Sequence, residues 1–211
     1  MLLDRIFAAA YDAVLRPSEV RGLAQMREDL LGGLSGEVVE IGAGTGLNLK
    51  HYHDTIDRLV LCEPSLPMEE HLEARRQHEP PEVADITVIE APGEALPLAD
   101  QSVDTAVSTL VLCTVGDLDR TAAELARVVR PGGTLALLEH LGDEGTRRAR
   151  VQRAIEPAWK FVARGCRLTR DPRAALDAAG FDVSGLTETR LPGSFPLLER
   201  ALVGHATRRP D

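Results

Sequence analysis

The chain has 211 residues, 44% of them hydrophobic, with 33 Asp plus Glu against 24 Lys plus Arg and a formal net charge of −9. That length and apolar content suit one domain with a sizeable core, and an acidic balance without a basic run argues against a nucleic-acid partner. Three widely spaced cysteines with no C-x-x-C pair argue against a disulfide framework and for a reducing, cytoplasmic setting.

No apolar stretch reaches transmembrane length, so no integral membrane segment is expected, and acids at Asp4 and Asp12 interrupt the first apolar run. Residues 1–31 read as two helices divided at Pro17, with Ser18 as N-cap of the second. Leu2, Leu3, Ile6, Phe7, Ala10 and Val14 share one face of the first. That face either packs on the domain, closes over a ligand as a cap (1–33), or touches a membrane surface.

Val38–Ile41 reads as strand one, followed by a helix from about Leu47. Arg58–Cys62 is strand two, followed by a helix ending before Pro80-Pro81. Ile86–Ile89 and Val103–Ser108 are strands three and four, and Leu118–Val129 is a helix with Ala, Leu and Val on one side. Pro131-Gly132-Gly133 is a turn feeding strand five, Thr134–Glu139. A helical insertion near 146–163, a short helix over 172–179 and two strands near 181–188 and 199–207 complete the chain. The alternation predicts a single α/β domain over 1–211. It has a seven-stranded, mostly parallel sheet with helices on both faces. His51-x-His53 is the sole close histidine pair. Two residues apart on a helix those rings diverge, so no metal site is expected.

The most informative stretch is Val38-Val39-Glu40-Ile41-Gly42-Ala43-Gly44-Thr45-Gly46. A β-branched run ends in an acid and breaks into glycines at every second position, as a buried strand does when it turns sharply and leaves bare backbone beside a ligand. A dinucleotide site needs Gly-x-Gly-x-x-Gly, but position 47 is Leu and the third glycine falls at 46. A nicotinamide oxidoreductase is therefore disfavoured. Glu40 suits a cationic amino-acid head better than a phosphate. The E-x-G-x-G-x-G form resembles motif I of the class I methyltransferases, Rossmann-like enzymes that bind S-adenosylmethionine (SAM).

In an open α/β sheet, ligands lie beyond the carboxyl ends of the strands. Glu63-Pro64 ends strand two, 19 residues past Gly44, where a carboxylate can accept both hydroxyls of a ribose. Gly93-Glu94-Ala95-Leu96-Pro97-Leu98 resembles the family's Gly-Asp-Ala-x-x-Leu-Pro-Phe stretch that holds the adenine edge. Pro92 takes the usual Asp position, leaving Gly93 and Glu94 as candidates. Arg130-Pro131-Gly132-Gly133 matches the family's strand-five turn. Together with Ala43, Asn48, Leu110 and a Tyr11 that is similar to the N-terminal tyrosine of related small methyltransferases, these residues form the expected SAM site.

Ser108–Val115, Leu138-Glu139-His140, Glu156-Pro157-Ala158-Trp159 and Gly165–Arg170 resemble the methyltransferase-like seven family of thiol S-methyltransferases. That resemblance implies a small-molecule acceptor, most naturally a thiol. A phospholipid amine, a quinone-type carbon and a non-catalytic SAM-binding role are the alternatives. The animal members' hydrophobic N-terminal anchor has no counterpart here. His140 follows strand five, where it is either the base that removes the acceptor's proton or a histidine bonded to a loop carbonyl. Cys113 either lines the methyl channel or packs. Trp159 and Phe161 sit where a lid over the acceptor would be, in an insertion spanning 143–170, unless the tryptophan simply packs in the core; Cys166 is either a relay nucleophile or inert. The expected product is S-adenosylhomocysteine, and nothing in the pattern indicates an oligomer.

Overall fold

The computed structural model describes residues 2–210. Five parallel strands form the frame: β1 (Gly36–Ile41), β2 (Ile56–Cys62), β3 (Ile86–Ile89), β4 (Val103–Thr109) and β5 (Val129–His140). Their spatial order is β3-β2-β1-β4-β5, so the strand order reverses beside β1, where β1 meets β4. β8 (Arg200–Arg208) adds antiparallel to β5, and β6 (Phe181–Asp182) and β7 (Leu186–Arg190) both pair with β8. The sheet thus has eight strands, one more than expected. The single strand read over 181–188 breaks in two because the Asp182 carboxylate accepts the Ser184 amide at 3.0 Å and turns the chain.

Successive residues of the central strands enter two separate cores. Val39, Ile41, Ala106, Leu135 and Leu137 pack with Leu125 and Ala126 of α4 (Leu118–Val128) and Leu176 of α6 (Arg173–Ala178). Val38, Val107, Ala136 and Leu138 pack on the other face with Leu30 and Leu31 of α2 (Ala24–Leu31) and Leu72 of α3 (Leu66–His78). α4 starts where Asp117 accepts the Arg120 amide at 3.0 Å, an N-cap bond. Pro131–Gly133 bulges out of β5, whose register against β4 resumes at Thr134.

Three local expectations are corrected. Pro17 does not divide the first helices; it lies inside α1 (Leu2–Ser18), and Ser18 is itself helical with no side-chain cap. The break comes at Gly22, with φ +131°, a conformation glycine adopts without strain. The helix expected from Leu47 is one 3₁₀ turn, Leu49–His51, after which Tyr52 is extended. His51 at the end of that turn and His53 beyond it do not diverge. They converge on Glu28, with His51 Nδ1 2.7 Å and His53 Nε2 3.3 Å from its carboxylate.

Among the described residues no helix is long and apolar enough to cross a membrane. α5 (Arg147–Val162) is the helix of the insertion and buries only Ala149 and Gln152.

Candidate active site

The glycine loop leaves β1 with Gly42, Gly44 and Gly46 at φ +58°, +60° and +82°. A Cβ at Gly42 would come within 2.7 Å of both Val111 methyls, and one at Gly46 within 2.9 Å of Leu72 and Leu49. At Gly44 the nearest neighbour would be a carbonyl 3.8 Å away. Two glycines therefore permit packing, and the third keeps one side of the loop bare.

Beneath the loop lies a buried polar network. Glu40 receives the Asn48 amide on Oε1 and the Tyr52 hydroxyl on Oε2, each at 2.7 Å. Asn48 Oδ1 accepts from Arg27 Nη1 at 2.7 Å, and Thr109 Oγ1 accepts from Asn48 at 2.8 Å and Arg27 at 3.1 Å. Arg27 Nε donates to Glu19 at 3.0 Å. Burial pushes the Glu40 carboxyl up, and the Tyr52 and Asn48 hydrogen bonds with the Arg27 charge oppose that rise. Tyr11, Arg27, Glu40, Gly44, Asn48 and Thr109 line one pocket.

α1 is fastened across this pocket. Thr45 Oγ1 donates to Asp12 at 2.6 Å, Arg75 Nε donates to the Thr45 carbonyl at 2.8 Å, and Arg75 pairs with Asp12. Tyr11, one residue before Asp12, is thereby held over the loop. Burial pushes its hydroxyl up to about 12, and Arg27, Cys113 and Glu63 all act on it electrostatically.

Glu63 is buried at the end of β2, accepting the Gly44 amide on Oε2 and the Ser65 amide on Oε1, both at 2.8 Å. Burial raises its carboxyl and the two amides draw it back. Pro64 beside it is exposed. Gly93 packs against Thr121 and Ile41 at the end of β1. The Glu94 carboxylate accepts the Gly116 amide at 2.7 Å and the Asp117 amide at 3.2 Å, bracing the start of α4. Leu110 stands at φ +61°, unusual outside glycine, its amide bonded to the Leu138 carbonyl at 2.8 Å.

A second cluster lies past the ends of β4 and β5. Glu139 Oε1 accepts Ser108 Oγ at 2.7 Å and the Val111 and Leu112 amides at 2.8 and 2.9 Å, shaping the loop that carries Cys113. The following His140 is buried, with Nε2 3.3 Å from the Leu168 carbonyl and Nδ1 without a partner. Burial lowers its ring below the usual histidine range, against the opposing pull of the Leu168 carbonyl. The 165–170 segment is tied to the Cys113 loop: Arg170 Nη1 donates to the Leu112 and Val115 carbonyls at 2.7 and 2.8 Å, and the Arg167 amide to the Cys113 carbonyl at 2.9 Å. Cys166 thereby comes near Cys113, their sulfurs lying within 4.8 Å of each other while Cys113 Sγ donates to the Leu110 carbonyl at 3.8 Å; this proximity raises the Cys113 thiol and lowers that of Cys166, and Trp159 lowers Cys166 further. Phe161 of α5 is 70% exposed.

The structure thus brings Tyr11, Glu40, Ala43, Gly44, Asn48 and Glu63 around one loop. It gathers Cys113, His140 and Trp159 beside it. Arg27, Thr109 and Tyr52 were missed as site residues. Arg27 carried a signal: it shares helical spacing with Leu23, Leu30 and Leu31, a charge on an apolar face.

A family model described as a methyltransferase domain matches residues 39–137. The chain is 35% identical over 176 residues to Homo sapiens thiol S-methyltransferase TMT1A, covering 81% of this chain and 70% of that protein. It is also 35% identical over 179 residues to Homo sapiens thiol S-methyltransferase TMT1B, covering 80% and 72%. Among solved structures, the methyltransferase bound to the Trm112 activator from Haloferax volcanii superposes with a TM-score of 0.72 at 20% identity, covering 98% of both chains. With the glycine loop, the acid after β2 and this sheet order, the chain belongs to the class I SAM-dependent methyltransferases, in the same family as TMT1A and TMT1B.

Proposed function

We propose that the protein transfers the methyl group of SAM to a small-molecule thiol. The observation that carries the reading is His140, a buried ring at the end of β5 whose Nδ1 has no partner. The two relatives named thiol S-methyltransferases support the acceptor class.

The residues around the loop fit the cofactor. The bare side of Gly44 is the cradle, and the donor set pairs a buried cation with buried acids. Arg27 would hold the methionyl carboxylate, Glu40 the ammonium, and Glu63 the ribose hydroxyls with lone pairs its amide contacts leave free. Gly93 and Leu110 would border the adenine. Tyr11 and the 1–33 cap would exclude water from the front, and Trp159 of the 143–170 insertion from the acceptor side. When bound, SAM supplies a methyl carbon activated by a sulfonium and leaves as S-adenosylhomocysteine.

A free thiol has a pKa near ~8.5, so a fraction is thiolate at neutral pH. The neutral His140 ring would accept the remaining proton at Nδ1 while the Leu168 carbonyl fixes Nε2–H. Holding acceptor and methyl in line in a dry pocket is worth up to ~7–11 kcal/mol.

The test is S-adenosylhomocysteine release with hydrosulfide, a small alkyl thiol and a phosphatidylethanolamine dispersion run side by side. Turnover with thiols alone is expected. A second reading, an amphiphilic acceptor, is favoured by one observation: Leu2, Leu3, Ile6 and Val14 of α1 are 73%, 55%, 56% and 66% exposed. Turnover with the lipid alone, together with liposome co-sedimentation, would select it. SAM binding with no transfer to any acceptor would select a non-catalytic binder.

A further inference from the structure

We propose that Cys113, His140 and Cys166 form a zinc site of the Cys₂His type with its fourth position open. The ligand atoms of the three residues already lie within 4.8 Å of one another. Tetrahedral zinc with Zn–S near ~2.3 Å and Zn–N near ~2.1 Å sets its ligands roughly 3.5–3.8 Å apart. A contraction of about 1 Å would therefore close the site.

The histidine is the most specific part. Its Nε2 faces the Leu168 carbonyl at 3.3 Å, and its Nδ1 is buried without a partner. A backbone carbonyl on one ring nitrogen fixes the tautomer in which the other carries a lone pair, as around metal-bound histidines. An unpartnered buried nitrogen is otherwise costly, and a metal ion gives it one. The frame is also rigid. Arg170 bridges the Leu112 and Val115 carbonyls, the Gly142 amide donates to the Arg170 carbonyl at 2.9 Å, and Glu139 holds the loop amides before Cys113. Each ligand comes from a different part of the chain, and all three parts are hydrogen-bonded together.

Charge agrees with the assignment. Two thiolates, one neutral imidazole and Zn²⁺ sum to zero, which suits a buried position beside Glu139, Glu156 and Arg170. Sulfur and imidazole donors select zinc over magnesium or calcium. Three protein ligands are the pattern of open zinc sites. An exogenous thiol entering the fourth position would bind as thiolate and release its proton to solvent, a role then taken from His140 Nδ1. That last consequence rests on the thiol reading above; the metal site does not.

The test starts from reduced full-length protein, stripped with a chelator and titrated with zinc alone and then cobalt alone. One zinc per chain is expected, with a cobalt spectrum showing thiolate-to-metal charge transfer. Cys166→Ser and Cys113→Ser should each lose the charge-transfer intensity of one thiolate and weaken zinc binding at least a hundredfold. SAM binding by calorimetry reports that the variants are folded. A folded, SAM-binding parent that takes up no stoichiometric metal would overturn the proposal, as would zinc affinity unchanged in Cys166→Ser. A Cys113–Cys166 disulfide, with no metal uptake after its reduction, would replace the site with a redox pair. Zinc uptake without thiol methylation would sink the acceptor reading and leave the site standing; thiol methylation undiminished in metal-free protein would overturn the metal's role in activating the thiol.

Discussion

Glu63 Oε2 and the Gly44 amide meet at 2.8 Å across the carboxyl ends of β2 and β1, while Oε1 of the same carboxylate accepts the Ser65 amide at 2.8 Å. One buried side chain thus sets the distance between the β1 and β2 loops. Hydrogen bonds to a charged group contribute about 1.5–3 kcal/mol each. Glu63→Ala leaves both amides unpaired and should weaken SAM binding at least tenfold. Glu63→Gln keeps one strong acceptor and should fall between. Calorimetry decides, and an unchanged Kd in the alanine variant would remove Glu63 from the site.

Gly42 and Gly44 have nearly the same φ, +58° and +60°, but different surroundings. Substitution at either costs about 1–3 kcal/mol of backbone strain. At Gly42 the new methyl also meets Val111 within 2.7 Å, adding roughly 1–3 kcal/mol of overpacking. Gly42→Ala should therefore lower the melting temperature more than Gly44→Ala. Gly44→Val, projecting into open space, should abolish SAM binding in a chain that still folds. Equal losses of stability with SAM affinity intact in Gly44→Val would contradict the cradle.

How much of this was legible follows physical lines. β3 was read to its exact ends because a short β-branched run between polar turns has few alternatives. The loop after β1 was read from glycines whose positive φ values do demand glycine. The helix expected after Gly46 fails because Glu40 recruits Asn48 and Tyr52 at 2.7 Å each, and Tyr52 must turn extended to reach it. Such a pull acts across the fold and leaves no periodicity. Arg27 was passed over because a lone arginine in a helix is ordinarily exposed; here it is 3% exposed. The meeting of Cys113, His140 and Cys166 depends on how the 165–170 segment folds back, which no local spacing encodes.

Arg27 should be the costliest residue to replace in the cofactor pocket. It is buried, and its three nitrogen contacts to Glu19, Asn48 and Thr109 sit above Glu40. Removing one partner of a buried charged network costs about 3–5 kcal/mol. Arg27→Met should lower stability by that order and weaken SAM binding. Arg27→Lys should not rescue, because one ammonium cannot reproduce the planar fork. Urea unfolding of both variants measures this; a lysine variant as stable as the parent would show that charge alone is required.

The Glu28 triad gives the chain a pH dependence of opposing signs. His53 is raised by its contacts with Glu82 and Glu28, while His51 is lowered, chiefly by burial. A raised histidine contributes stability that is full below its unfolded pKa of about 6.5 and vanishes as pH climbs through the folded value. His53→Gln should therefore be less stable than the parent near about pH 5.5 and equal to it near about pH 8.5, by less than ~1 kcal/mol, since the pair is solvent-screened. A lowered histidine acts the other way, opposing folding as pH falls below about 6.5. His51→Gln should then flatten the acid limb of the stability curve. Urea unfolding across this range reads both, and a His53→Gln deficit that does not change with pH would mean the contacts are steric rather than ionic.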